Sequence, residues 1–530
     1  MTTQTSTWTT ATRLIIIGWL WLGYGSVAAR LVPITLVHTT DLHGHVWPAR
    51  DYDGTEGVGG LLRAATIIDQ WRAERPDLLL VDGGDLYQGA IESYLSRGQI
   101  MNRALGWLRY DAWVLGNHEF DWGLNVLAQA VRASPAPVLA ANVQARPGAA
   151  NPLPALRPYI IRNVQGVRVA LVGLTTDAIP FWSRPHLLGD LIIIDSVAAL
   201  QKWMPRVRAE RPDILVLLTH QGYRPFGDSP ANQINRIARH FPEFDLIIGG
   251  HSHQPIERAR VNGIPYTQAG YYGIWVGKAT LVYDTVARAV VSETFTLREV
   301  DASVPKHAGL QAALAEELEQ AQTFGERPIG TVAHALDYRS AHVGQSYLQQ
   351  LLARAIARAA GTEISLHGIL AEETVAAGPV TERDLWRIVP YENTIGVLQL
   401  TAADLQAILE DNAALDRTAT QFMGVHGVRY TLHAYAPPGE RVRDLRYADG
   451  RPIHPRARLP VALNSYVLAS GGRRFPSARR LADDPVTRLR WVGQDTRSAV
   501  RAYLARSSPL SLEVEPLVEW RARPDAGGVR

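Results

Sequence analysis

An α/β fold is the class that the sequence predicts, and two observations support it. From Ile34 to about residue 300, short apolar runs alternate with segments whose apolar residues recur at helical spacing, such as GLLRAATIIDQWRAE and ALQKWMPRVRAERPD. Alternation of this kind is typical of layered α/β domains. Five of the apolar runs also end alike, in Asp, Asn or His, as expected for strands whose carboxyl ends meet at one edge of a sheet.

The five strand ends carry side chains that are good metal ligands. ITLVHTT leads into Asp41 and His43, DLLLVDGG into Asp85, DAWVLG into Asn117 and His118, DILVLLT into His220, and FDLIIGG into His251 and His253. Without His118 these are seven oxygen or imidazole donors, and if one carboxylate bridges, two metals receive four protein ligands each. Such a set without sulfur favours Zn, Mn, Fe, Co or Ni over Cu(I) or a pure Ca site. His38, within the strand, and in part His45 are more typical of buried core residues.

Composition narrows the possible classes of protein. The chain has 530 residues, of which 46% are hydrophobic and 20% are charged, and this length is typical of about two to four domains. The formal net charge is +3, and the basic residues, nearly all Arg, are scattered along the chain. That distribution favours an ordinary solvated surface over a site for a nucleic acid polymer. The lack of cysteine excludes disulfides, thiolate metal sites and Cys nucleophiles.

The N-terminus has the pattern of a secretory signal. Arg13 is followed by the apolar run LIIIGWLWLGY and then by GSVAAR, whose small residues suit cleavage near Ala29. The apolar run is shorter than the roughly 20 residues of a standard membrane span. We therefore expect a signal peptide over residues 1–29, a secreted protein in the periplasm or outside the cell, and no stable membrane insertion after cleavage. An uncleaved anchor is the alternative.

Five motifs together resemble one enzyme family. HTTDLHGH, DGGDLYQG, GNHEFDWG, THQG and GGHSH occur in the order and spacing of the calcineurin-like metallophosphoesterases. They most closely resemble the secreted 5'-nucleotidase branch, including its bifunctional UDP-sugar hydrolases, from about Ile34 to the neighbourhood of residue 515. The resemblance implies a four-layer α/β/β/α sandwich. It also implies that Asp41, His43 and His253 hold one metal, that Asn117, His220 and His251 hold the other, and that Asp85 bridges.

The resemblance also implies a reaction. In phosphoryl transfer of this kind, a hydroxide held by two divalent cations, here Zn, Mn or Co, attacks phosphorus in line. His118 corresponds to the family's catalytic histidine, which stabilises the transition state or aids the leaving oxygen. Asp121 corresponds to the residue that orients this histidine and raises its pKa. A helix N-cap is the alternative for Asp121.

The residue pattern changes after residue 300. HAGLQAALAEELEQAQ carries apolar residues at helical spacing, which predicts one continuous helix of about four or five turns that GERPIG ends. In the resembled family such a helix joins the metal domain to a smaller α/β substrate domain. We therefore expect a metallophosphoesterase domain over residues 33–300, a linker helix over 301–327 and a 5'-nucleotidase-type C-terminal domain over 328–515.

The C-terminal part matches the family less well. GPVTERDLWRIVPYENTIGVLQLT and GVRYTL resemble family segments. By the resemblance, Arg339 contacts the substrate phosphate and Phe422, in QFMGVHG, stacks on a base. SLHGIL, however, has Ser365 and Leu370 where the family has Asn and Arg.

YVLASGGRRF departs from the family as well. It has Val467 at the second stacking position and Arg473 where a ribose-binding Asp is usual. Tyr466 could replace the missing aromatic by a shift of one residue. A guanidinium at residue 473 should favour a second negative group on the substrate, such as another phosphate or a carboxylate. We therefore expect weak discrimination among nucleobases.

Three functional classes are consistent with these motifs. The first is a secreted dinuclear-metal phosphoesterase that acts on nucleotides or related phosphorylated small molecules. The second is a thiosulfohydrolase-like enzyme of sulfur oxidation that uses the same metals on another bond. The third is a non-catalytic secreted binding protein. Such a protein would be expected to have lost some of the metal-ligand residues, and none of the expected ones is missing.

Overall fold

The computed structural model of the chain describes residues 1–2, 30–183, 185–339, 342, 344–416 and 422–522. The predicted signal peptide, apart from its first two residues, lies outside the described residues. Within the described part of the chain, no helix has the length and apolar character needed to cross a membrane.

Two six-stranded sheets form the N-terminal part. The strands of the first sheet, in spatial order, are Ala289–Glu299, Trp275–Asp284, Leu31–Thr39, Leu79–Asp82, Ala112–Val114 and Val138–Leu139. Those of the second sheet are Pro255–Val261, Ile264–Ala269, Leu246–Ile248, Ile214–Thr219, Val167–Leu174 and Tyr159–Val164. Two small ladders complete this part, Ala49–Arg50 with Glu56–Val58, and Val143–Ala145 with Leu191–Ile193.

Helices cover the outer faces of both sheets. The helices of the N-terminal part are Leu61–Glu74, Ile91–Ser96, Gln99–Leu108, Leu124–Ala133, Ile179–Trp182, Pro185–Leu188, Ser196–Ala209 and Ile234–His240, with a 3₁₀ turn at His118–Phe120. Three apolar cores separate the layers. One, around Leu36 and Leu171, lies between the sheets, and the others lie between each sheet and its helices. The four-layer α/β/β/α sandwich implied by the family resemblance is confirmed.

The segment after residue 300 differs from the single helix that the sequence predicts. It forms two helices, Ala308–Ala313 and Ala315–Gly325. At Leu314 the backbone leaves the helical range, with φ −112° and ψ 12°. Leu310, Leu314 and Leu318 are nevertheless all buried in the core of the N-terminal part. Because these leucines are spaced four residues apart, they face the same core on both sides of the break.

A second α/β unit follows. Its five-stranded sheet contains, in spatial order, Gly424–His426, Ile364–His367, Leu459–Asn464, Thr394–Leu400 and Arg490–Asp495. A three-stranded sheet, Val442–Tyr447, Val428–His433 and Val518–Arg521, and the pair Pro328–Val332 and Gly378–Thr381 accompany it. The helices are Tyr347–Ala360, Glu382–Ile388, Ala402–Ala413, Ser465–Leu468, Pro476–Asp483 and Thr496–Arg506, with a 3₁₀ turn at Pro485–Thr487.

The two parts of the chain pack against each other beside the metal-ligand candidates. Ile91 of the N-terminal part, Ala321 of the second linker helix and Trp386 of the C-terminal part form one small buried cluster. The amide of Gln88 donates to the Glu392 carboxylate at 2.7 Å and to the Pro390 carbonyl at 3.1 Å. These contacts place a loop of the C-terminal part directly over the edge of the first sheet.

Candidate metal centre

The candidate ligands follow the carboxyl ends of strands near the middle of both sheets. The parallel neighbours Leu31–Thr39 and Leu79–Asp82 lead to Asp41, His43 and Asp85. The parallel neighbours Ile214–Thr219 and Leu246–Ile248 lead to His220, His251 and His253. Five of these side chains sit on residues with positive φ: Asp41 at 51°, His43 at 47°, Asp85 at 53°, His251 at 70° and His253 at 54°. Residues other than glycine rarely adopt this conformation, and it concentrates at functional sites.

The structure brings six of these side chains into two groups. Asp41, His43 and His253 form the first, and Asp85, His220 and His251 form the second, and within each group the possible ligand atoms lie within 4.8 Å of one another. The Nε2 atoms of His43 and His253 are 3.1 Å apart. Asp85 Oδ2 lies 3.0 Å from His220 Nε2 and 3.7 Å from His43 Nε2. Asp85 therefore lies between the two groups.

Backbone carbonyls fix the rings of two histidines. Nδ1 of His43 lies 2.8 Å from the Gln88 carbonyl oxygen, and Nδ1 of His220 lies 2.8 Å from that of Gly83. A carbonyl accepts only, so each Nδ1 carries a proton, and Nε2 is the ring nitrogen that can act as a metal ligand. Both Nε2 atoms point toward Asp85. This arrangement is the one that prepares an imidazole to bind a metal.

One buried acceptor atom among the candidate ligands, Oδ1 of Asn117, lacks a hydrogen-bond partner among the described residues. A buried polar atom without a partner is costly, and in a folded protein it calls for an explanation such as a bound ion. Asn117 directly precedes His118, whose backbone N–H donates to the Asp85 carboxylate. The donor set therefore fits divalent cations.

Glu119 stabilises the turn that carries Asp85. The sequence analysis did not identify Glu119 as a site residue. Its buried carboxylate accepts the backbone N–H groups of Gly116, Asp85 and Leu86 at 2.6 to 3.1 Å. The Asp85 carboxylate in turn accepts the N–H of His118 at 2.8 Å. Glu119 therefore ties together the two strand ends that supply Asp85 and Asn117. Its place directly after GNH was the only signal in the sequence.

Burial and charge set the protonation of the histidines. Burial lowers the pKa of His43 and of His251 to about 3, so both rings are neutral, as coordination requires. Burial also opposes charge on His220, but the carboxylates of Asp85 and Asp41 outweigh it and raise its pKa to about 9. A cation bound there would have to displace that proton.

His118 and Asp121 form a hydrogen-bonded pair beside the candidate ligands. Nδ1 of His118 lies 2.7 Å from the Asp121 carboxylate, and both side chains are about a quarter exposed, at 24% and 27%. Burial disfavours charge on the ring, but Asp121 and then Asp85 outweigh it and raise the pKa of His118 to about 10. Asp121 does not cap the following helix, because the N-cap of Leu124–Ala133 is Gly123.

A cavity of about 640 Å³ opens in front of this pair. Asn117, His118, Asp121 and His251 line it on the N-terminal side, and the C-terminal part supplies the opposite wall. That wall combines apolar residues, such as Leu370, Met423, Val467 and Phe475, with polar residues that include Glu392 and Asp495. Arg97 is the only Arg or Lys among the described residues that line the cavity.

The four predicted substrate residues fall in different places. Tyr466 lines the cavity, and its hydroxyl accepts a hydrogen bond from Arg474 at 2.8 Å. Phe422 is 1% exposed inside the core of the C-terminal part and does not line the cavity. Arg339 is exposed beside Tyr338 and is also absent from the wall. Arg473 is exposed, has φ 72° and does not line the cavity either.

Three further residues at the site were not singled out from the sequence. Trp182 lines the cavity and stacks on His251, with ring centroids 5.2 Å apart. Tyr391 lines it and stacks on His118 at 5.9 Å. The Tyr52 hydroxyl lies 2.7 Å from Nδ1 of His253. Tyr391 and Tyr52 lie in loops and Trp182 ends a short helix, so no periodic pattern marks them as functional.

Two family descriptions match the chain, and they cover its two parts. "Calcineurin-like phosphoesterase" matches residues 34–255, and "5'-nucleotidase, C-terminal domain" matches residues 328–480. The chain belongs to the calcineurin-like phosphoesterases that carry a 5'-nucleotidase C-terminal domain. It is therefore a metal-dependent phosphoester hydrolase of the 5'-nucleotidase type. Calcineurin-like phosphoesterases use two divalent metals, in keeping with the two ligand groups.

Known proteins share this organisation along most of their length. The chain is similar to Protein UshA of Yersinia enterocolitica, with 27% identity over 90% of this chain and 92% of that protein. Among solved structures it is similar to a 5'-nucleotidase precursor from Thermus thermophilus, at 24% identity and a TM-score of 0.71, over 93% of this chain and 100% of that one. It is also similar to a putative 5'-nucleotidase from Staphylococcus aureus, at 21% identity and a TM-score of 0.78, with the same coverage.

Proposed function

We propose that this protein hydrolyses phosphate esters of nucleotides or related small molecules at a two-metal site. The observation that carries the proposal is the position of Asp85 between two groups of ligands, next to the His118–Asp121 pair, which lines a cavity. Two-metal sites of this kind serve phosphoryl transfer, because they neutralise charge on both sides of an in-line displacement. Relatives with nucleotidase names support the substrate class.

The seven predicted ligands divide between the metals in the way the groups suggest. Asp41, His43 and His253 would hold one ion, Asn117, His220 and His251 the other, and Asp85 both. The buried Oδ1 atom of Asn117, which has no hydrogen-bond partner among the described residues, supports a role for Asn117 as a ligand. Imidazole, carboxylate and amide donors without sulfur favour Zn, Mn or Co. When bound, the ions would activate a water molecule and stabilise negative charge on the phosphoryl group.

The chain's own contribution to proton transfer lies in the His118–Asp121 pair. Asp121 fixes the ring through Nδ1, so Nε2 is the atom available to the substrate. A ring whose pKa is raised to about 10 is protonated at neutral pH and can donate from Nε2 to a phosphoryl oxygen or to the leaving oxygen. Tyr391 lies beside the ring, with the two centroids 5.9 Å apart.

The cavity wall indicates the kind of leaving group. A volume of about 640 Å³ suits a small molecule and excludes a folded macromolecule. The C-terminal wall combines apolar and aromatic side chains with the carboxylates of Glu392 and Asp495, and Arg97 is the only Arg or Lys among the described residues that line the cavity. This composition favours a neutral leaving group with an apolar face over a second phosphate. Arg473 lies outside this wall, so the preference for a second anion that the sequence suggested loses its support.

We also propose that the protein acts outside the cytoplasm. The apolar run of residues 14–24, followed by small residues up to Ala29, is the support for this. Fractionation of the native host, with N-terminal sequencing of the mature chain, would test it. A cytoplasmic protein that begins at Met1 would contradict it.

One screen tests the proposed reaction. The purified chain is loaded with Mn²⁺ or Zn²⁺ and assayed against p-nitrophenyl phosphate, its bis ester, AMP and a thiosulfonate. We expect metal-dependent turnover of the phosphomonoesters, with AMP at least as good as p-nitrophenyl phosphate. Turnover of the thiosulfonate alone would favour the thiosulfohydrolase alternative, and no turnover of any substrate would favour a binding protein.

A further inference from the structure

The candidate ligand His253 differs from His43 and His220 in the hydrogen bond that its ring makes. Nδ1 of His43 and Nδ1 of His220 each donate to a backbone carbonyl, and the two side chains are 5% and 0% exposed. The His253 side chain is 21% exposed, and its Nδ1 lies 2.7 Å from the hydroxyl of Tyr52. The hydrogen-bond partner of Nδ1 is therefore a side chain for His253 and a backbone carbonyl for His43 and His220.

Tyr52 is 60% exposed, and the contacts of its ring and hydroxyl are with neighbouring aromatic residues. Tyr52 stacks on Tyr271 with centroids 4.5 Å apart, and its ring is within 8° of parallel to that of His253. Its hydroxyl also lies 3.4 Å from that of Tyr272. If His253 uses Nε2 as the ligand atom, Nδ1 carries the proton and donates to the Tyr52 oxygen, and the Tyr52 hydroxyl can donate to Tyr272.

Tyr52 lies between the short strands Ala49–Arg50 and Glu56–Val58, and ion pairs tie this hairpin to the C-terminal part. The guanidinium of Arg50 donates to the carboxylate of Glu373. Arg387 donates to the same carboxylate at 2.6 Å and lies 3.9 Å from Glu56. Glu373, which is 14% exposed, thus links a hairpin of one part to a helix of the other.

We propose that Tyr52 is a positioning residue for the metal ligand His253, and that the ion pairs of Glu373 hold its hairpin in place. The inference rests on the proposed function in taking His253 as a ligand. A hydrogen bond to the non-coordinating nitrogen fixes the tautomer and orientation of a ligand histidine, and its loss weakens metal binding. The effect should be confined to the ion that Asp41, His43 and His253 hold.

Zinc affinity measured by competition with a chromophoric chelator tests the inference without any substrate. Metal-free wild type and Tyr52→Phe are titrated with Zn²⁺. We expect wild type to show two sites, and Tyr52→Phe to lose about ten- to a hundredfold in affinity at one of them, the usual effect of removing such a partner. The second site should stay within about twofold of wild type.

Tyr283→Phe is the matched control. Its hydroxyl donates to the carboxylate of Asp213 at 2.9 Å, but Tyr283 pairs with Val32, at the end of the first sheet opposite to the ligands. Both zinc affinities should be unchanged in this variant. If Tyr52→Phe matches the control, or if both of its sites weaken equally, the inference is wrong. A wild type that binds fewer than two zinc ions would instead overturn the proposed function on which the inference rests.

Glu373→Gln tests the part played by the hairpin. The ion pairs of Glu373 are partly exposed on the arginine side and act on His253 only through Tyr52, so the same zinc site should weaken by only about two- to fivefold. Glu363→Gln, which removes a surface pair with Arg451 within the C-terminal part, is its control and should have no effect. An unchanged zinc affinity in Glu373→Gln would show that the ion pairs do not support Tyr52.

Discussion

The ligand-bearing edge of the two sheets and the C-terminal wall of the cavity face each other, and the sequence predicts them very differently. At the edge, each candidate ligand lies a few residues after a buried strand, and only a few residue types can bind a metal. On the wall, several segments contribute Leu370, Met423, Tyr466 and Phe475, side chains that fit many roles. Function can therefore be predicted where chemistry restricts the residue type, and less well where shape alone decides.

The largest expected effect concerns the proton donor at the edge. His118→Ala should lower kcat by about a hundred- to ten-thousandfold, because it removes a positioned acid. Both metals should remain bound, since His118 lies outside the two ligand groups. Steady-state kinetics with elemental analysis checks both statements. Loss of one metal in this variant would make His118 a ligand.

A smaller effect is expected for the residue that orients this donor. Asp121→Asn should lower kcat by about ten- to a hundredfold, because the amide cannot stabilise the protonated ring as the carboxylate does. The metal content and the free energy of unfolding should change little, because Asp121 belongs to neither metal group and does not cap the next helix. Asp195→Asn, at a remote helix N-cap, is the control. Equal loss of kcat in both variants would contradict the pairing of Asp121 with His118.

Physical reasons explain what the sequence could and could not predict. Strand ends in parallel sheets converge, so the sequence alone predicts that Asp41, Asp85 and His251 lie close together, although His251 follows a strand of the second sheet. Glu119 and Tyr52 make hydrogen bonds whose partners depend on loop geometry. The spacing of these two residues in the sequence therefore does not indicate a role at the site. Phe422 shows the opposite error, because an aromatic residue in a loop can equally well fill a core. The break at Leu314 has no Gly or Pro to signal it.

The smallest effects are expected for substitutions at the C-terminal side of the cavity, where Tyr466 lines the cavity and Arg473 does not. Tyr466→Ala should raise KM for AMP by about tenfold, since a stacking face supplies roughly 1 to 3 kcal/mol. Arg473→Asp should leave the ratio of kcat/KM for ADP and AMP within about twofold, because this side chain does not line the cavity. A large fall in the ratio of kcat/KM for ADP to that for AMP would indicate that Arg473 does contact the substrate.

Metal stoichiometry of Asp85→Asn tests the central claim most directly. If Asp85 bridges two ions, the neutral amide should lower the metal content from two per chain to one or none, and activity should fall by at least about a hundredfold. Elemental analysis of wild type, Asp85→Asn and the control Asp121→Asn, which should keep both metals, gives the answer. Two metals per chain at wild-type affinity in Asp85→Asn would contradict the two-metal site proposed here.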